Sequence, residues 1–124
     1  MQPFDISNDS LDLVHHSNLA ETAEVQLTVV TLRFDAADAA TLAGVLANYV
    51  VTSRSEPGCR NIDLCVGVGA PTRFVVIEKW DSPHAQRTHF DAAAMVAMAQ
   101  ACNGLLRSSP EIELLEGISA HDLA

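Results

Sequence analysis

FVVIEKWDSPHAQRTHF, residues 74–90, decides the fold. Strand side chains alternate, so Phe74, Val76, Glu78 and Trp80 share one face. A carboxylate among three apolar residues is expensive to bury unless it is paired. Ser82 can cap a helix and Pro83 suits the first helical position, so the strand gives way to a helix there. In that helix His89 falls on a stripe with Ala85, Thr88, Ala92, Val96, Ala99 and Cys102, which runs at helical spacing to a stop at Asn103–Gly104. Asp91 can cap a fresh segment, so a kink or break is expected near 90.

Upstream, GAPT (69–72) makes a turn and CRNIDLCVGV (59–68) puts Ile62, Leu64 and Val66 on one face. With 73–80 this is a hairpin. SEPG (55–58) ends an earlier helix, because Pro57 cannot continue it and Gly58 turns freely. That helix is marked by Leu42, Val45, Leu46, Tyr49 and Val50, with Asp35 as expected N-cap and Asp38 in the first turn. VQLTVVTLRF (25–34) reads as a central strand apolar on both faces, and EIELLEG (111–117) as the last strand. The order β-α-β-β-α-β is the ferredoxin-like α+β pattern, an antiparallel sheet with helices on one face. A strand apolar on both sides calls for a second sheet, which in so short a chain means a homodimer with sheet meeting sheet.

The chain has 124 residues, enough for one domain. Its net charge of −9 argues against nucleic acid and anionic membrane surfaces as partners. Asp5, Asp9, Asp12, Glu21 and Glu24 lie in an opening stretch without Lys or Arg. Residues 1–23 are accordingly expected to be an acidic flexible tail, 24–118 the folded domain and 119–124 a C-terminal tail. The opening lacks the basic and apolar regions of a secretion signal, and no apolar run reaches membrane-span length. Cys59, Cys65 and Cys102 fit a reduced compartment better than a disulfide framework. On one strand Cys59 and Cys65 would be roughly 20 Å apart, beyond bridging distance. A cytoplasmic protein is the expectation. No phosphate loop, dinucleotide fingerprint or zinc spacing is present, and His84 and His89, five apart, lie off one helical face.

The turn EPGC (56–59), the stretch 74–90 and the closing LRSSPEIELLEG (106–117) resemble the antibiotic biosynthesis monooxygenase domain, one of the dimeric α+β barrels. Glu-x-Trp-x-Ser with a His nine residues after the Trp is the most specific part of that likeness. The resemblance implies a monooxygenase that oxidises an electron-rich phenol, quinol or anthrone with dioxygen and uses no metal, flavin or haem. A haem-degrading branch pairs a Trp and a His with an Asn on the first strand. Trp80 and His89 match that branch, but residues 25–34 contain no Asn. A third reading is a small-molecule-binding dimer without turnover.

Within the monooxygenase reading, His89 is the candidate proton acceptor, because an imidazole titrates near neutrality. Trp80 is the candidate stacking wall for a planar substrate. A Trp or His at these positions is as readily explained as core. Glu78 reads as a structural tie, with Arg54, Arg60 or Arg87 as partner. Phe90, Met95 and Met98 are candidates to line an adaptable apolar pocket. Asn48, Tyr49, Asn61 and Arg54 are candidates to bind substrate oxygens.

Overall fold

The computed structural model of the chain describes residues 24–123. The expected acidic tail, 1–23, lies outside them, as does Ala124. Seven elements follow in order: β1 (Glu24–Asp35), α1 (Ala39–Ser53), β2 (Cys59–Gly67), β3 (Ala70–Trp80), α2 (Pro83–Phe90), α3 (Ala93–Ala101) and β4 (Glu111–Leu123). The strands form one sheet in the order β2-β3-β1-β4, antiparallel throughout. This is the ferredoxin-like α+β arrangement read from the sequence.

Register fixes the faces, since directly paired residues point the same way. Val30 pairs with Glu78, Leu32 with Val76 and Phe34 with Phe74, while Ile62 pairs with Glu78 across the hairpin. These side chains meet the helices. Leu42, Leu46, Tyr49 and Val50 of α1 complete the core from above, with Met95, Met98 and Cys102. Each fully buried aliphatic side chain there contributes about 1.5–3 kcal/mol.

Four local expectations change. The cap of α1 is Asp38, whose carboxylate accepts from the Thr41 amide at 3.1 Å; Asp35 is still in β1, and Ala36 bridges to Leu106. The break after Phe90 is present, but Asp91 ends α2 rather than capping α3, which starts from Ala92 without a side-chain cap. Because the break resets the helical phase, one stripe does not run through both helices. Met95 and Met98 are buried, whereas Val96 is 48% exposed. Finally, β4 continues to Leu123 instead of ending as a tail at 119: past a bulge at Gln26/Thr28, Glu24–Gln26 keep pairing with His121–Leu123. Ser82 caps α2 as expected, accepting from the Ala85 amide at 3.0 Å with Pro83 in the first turn. Among the described residues no helix is long and apolar enough to cross a membrane.

Candidate functional site

The period of two on β3 delivers Glu78 and Trp80 to the helix side, where both are buried. Tyr49 descends from α1, and His89 comes from the last turn of α2. Glu56 arrives from the turn after α1. Its amide donates to Ser53 O and its carbonyl accepts from Cys59 N, each at 3.1 Å. Gly58 closes that turn with a φ of +85°. A Cβ there would lie 2.5 Å from the Ala85 methyl, so only glycine lets α2 approach this closely.

The five side chains form one polar cluster, buried except at Glu56. Glu78 accepts from the Tyr49 hydroxyl through Oε2 and from the Trp80 indole N–H through Oε1, the latter at 3.0 Å. His89 Nε2 lies 2.7 Å from the Tyr49 oxygen and 3.5 Å from Glu78 Oε1, and Nδ1 lies 2.7 Å from Glu56 Oε1. The single proton of Tyr49 goes to Glu78, so the phenol oxygen accepts from Nε2–H. The Glu56 carboxylate accepts from Nδ1–H. This pattern of partners fits a His89 with a proton on each ring nitrogen, set between Glu78 and Glu56. Burial opposes that charge, but the bonds and fields of Glu78 and Glu56 outweigh it and hold His89 above the usual histidine range. The C-terminal end of α2 also favours a cation. Burial first, then the Glu78 charge and hydrogen bond, push the Tyr49 phenol far above its ordinary range, so it stays protonated.

Glu78 is therefore tied to a tyrosine, a tryptophan and a histidine, where an arginine was expected. Arg54 instead donates to the Ile62 carbonyl, at 2.8 Å from one terminal nitrogen and 3.2 Å from Nε, fastening α1 to β2. The volume between Trp80 and His89 is filled by the rings themselves, stacked with centroids 4.4 Å apart. Both ring nitrogens of His89 are engaged, Nε2 with Tyr49 and Nδ1 with Glu56.

The open spaces lie elsewhere. A cavity of about 710 Å³ sits between α3 and the sheet, bordered by Leu32, Phe34, Phe90, Met95, Met98 and Ile112, with Arg107, Ser108 and Ser109 along it. A second, of about 740 Å³, lies between α1 and α3 and is lined by small residues together with Asn48, Tyr49 and Met98. Neither Trp80 nor His89 borders either one. The residues read as substrate-binding are thus divided. Phe90, Met95 and Met98 meet at the sheet cavity, and Asn48 and Tyr49 at the helix groove. Arg54 stands apart, and Asn61, exposed and paired with Lys79 on the opposite face, bonds Asp63 at 2.9 Å. Glu56 was not among the candidates. Its signal lay in the EPGC turn, whose glycine sets the carboxylate beside α2.

The sequence model described as antibiotic biosynthesis monooxygenase matches residues 26–101, most of the chain. The protein belongs to the antibiotic biosynthesis monooxygenase family. Among solved structures, a Nitrosomonas europaea protein is similar with a TM-score of 0.71 and 15% identity, over 77% of this chain and 93% of that one. A Mycobacterium tuberculosis protein gives 0.70 and 23%, over 75% and 96%. A structure described as antibiotic biosynthesis monooxygenase gives 0.66 and 24%, over 74% and 98%. At these identities the likeness is one of fold. No curated protein gives a significant match.

Proposed function

We propose that the protein is a cofactor-independent monooxygenase that oxidises an electron-rich aromatic, a phenol, quinol or anthrone, in the cavity between α3 and the sheet. The observation that carries this reading is the cavity itself. Its volume of about 710 Å³ and its Leu32, Phe34, Phe90, Met95, Met98 and Ile112 walls suit a planar apolar ring system. Family membership supplies the reaction class. Met95 and Met98 are adaptable contacts for an aromatic face.

In such a site the substrate provides the electrons. An activated ring CH₂ loses its hydrogens, one atom of dioxygen becomes the ring carbonyl oxygen, and the other leaves as water. The apolar walls take the faces of the ring, while the mouth is open along Arg107, Ser108 and Ser109. No histidine or carboxylate borders this cavity among the described residues. The substrate's own acidity does the work of a base, and the Arg107 cation beside the cavity favours the anion. His89, Trp80 and Glu78 act as the frame that sets α2, and with it Phe90, against the sheet. On the opposite sheet face Val29, Val75, Ile77 and Leu115 share a side by register, which supports a homodimer closed sheet to sheet.

An oxygen electrode with 1,8-dihydroxyanthrone and substituted hydroquinones tests the reading. Uptake should be enzyme-dependent, and labelled dioxygen should place one heavy atom in the product. Saturable binding without uptake would make the protein a binding dimer. A saturating hemin Soret shift would favour the haem branch instead.

A further inference from the structure

We infer that His89 is a proton-operated latch: with both ring N–H groups present it ties the Glu56 turn and α2 to the sheet, and with one removed it lets the Glu56 turn go. The ring is faced by Tyr49 from α1, Glu56 from the turn and Glu78 with Trp80 from β3. Two of those groups are carboxylates. Arg54, the cation in the turn, is turned away onto the Ile62 carbonyl. On its own helix His84 and Arg87 are exposed.

A neutral imidazole has one N–H and cannot donate to both Tyr49 and Glu56. Without Nε2–H, the Tyr49 hydroxyl would face two acceptors with one proton. Without Nδ1–H, a lone pair would face the Glu56 carboxylate. The second failure is the cheaper one to relieve. Glu56 is 20% exposed and sits on a turn that water can solvate, whereas Glu78 and His89 are each 1% exposed and locked by Trp80. The break therefore falls at Glu56. That turn is joined to the end of β3 through Asp81 N to Gly58 O at 2.8 Å. Its release bares Cys59 and the edge of Trp80, and loosens the seat of α2.

Trp80 is the single tryptophan, and a stacked imidazolium quenches indole emission where a neutral imidazole does so far less. Fluorescence of the full chain should rise in one transition as pH increases, with a midpoint above the free-histidine value of about 6.5. Glu56→Gln, which removes one carboxylate, should lower that midpoint by about one unit or more. In neutral buffer Glu56→Ala, which leaves Nδ1 without its partner, should also lose the amide-exchange protection of positions 56 and 59 that the parent loses only on the alkaline side. Nitrogen-15 shifts of His89 in the unaltered protein give an independent reading and should report two protonated nitrogens at pH 7. A flat emission profile, an unmoved midpoint in Glu56→Gln, or a neutral His89 at pH 7 each overturns the latch.

Discussion

Trp80 lies against His89 with ring centroids 4.4 Å apart and planes 27° from parallel. The indole N–H is held by Glu78, the same carboxylate that the histidine approaches at 3.5 Å. A cationic ring over an indole face is attracted by the ring quadrupole as well as by dispersion. Two residues that in sequence look like a substrate wall and its base are, in the fold, one packed unit with no room for a third ring.

Removing the centre of this unit should be costly. Glu78→Ala strands the Tyr49 hydroxyl, the Trp80 N–H and the His89 charge, and a loss of about 3–5 kcal/mol is expected. Tyr49→Phe deletes one donor and one acceptor and should cost about 1–3 kcal/mol. The double variant should cost less than the sum, because both changes break the same network. Urea unfolding at neutral pH measures all three.

Stability should fall on the alkaline side. His89 binds its proton more tightly folded than unfolded, so folding is favoured by proton uptake. The benefit is full below the unfolded histidine value of about 6.5 and is lost as pH climbs through the raised folded value. Urea midpoints taken across pH 6 to pH 9 should decline for the parent chain. In His89→Gln that decline should be largely absent, on a lower baseline.

Two glycines of similar backbone should respond differently. Gly58 and Gly69 have φ of +85° and +74°, a region that costs other residues about 1 kcal/mol or more. A Cβ at Gly58 would also meet the Ala85 methyl at 2.5 Å and the Asp81 carboxylate at 2.8 Å, whereas none of these contacts exists at Gly69. Gly58→Ala should lower the melting temperature well beyond Gly69→Ala.

The cavity reading can be probed without touching the core. Ala99 borders the sheet cavity and is exposed. Ala99→Phe should fill part of that space and weaken binding of a hydroxyanthrone at least about tenfold, while stability shifts by about 0.5 kcal/mol or less. Ligand titration alongside thermal melting checks both halves. Unchanged affinity would place the ligand elsewhere.

Much of the fold was legible from residues 74–90 alone. Period two on β3 predicts the shared face of Phe74, Val76, Glu78 and Trp80, and Ser82–Pro83 predicts the start of α2. The partner of Glu78 was not legible. Opposite charge points to an arginine, whereas a phenol 29 positions upstream carries no charge and gives no local sign of its target. Glu56 was hidden for a related reason. Its contact with His89 spans 33 positions and depends on a turn conformation that only Gly58 hints at. The extension of β4 escaped notice because SAHDLA has no strand pattern, and its pairing comes from β1 running on beyond the sheet centre.

Met98 stands in the wall of both cavities, and its sulfur takes the Cys102 thiol at 3.6 Å. Helix α3 stands between the helix groove and the sheet cavity, and Met98 is the side chain of that helix that borders both, unbranched and with three rotatable bonds. A larger residue at this one position would therefore press on two spaces at once, so Met98 ties the shape of each to the other.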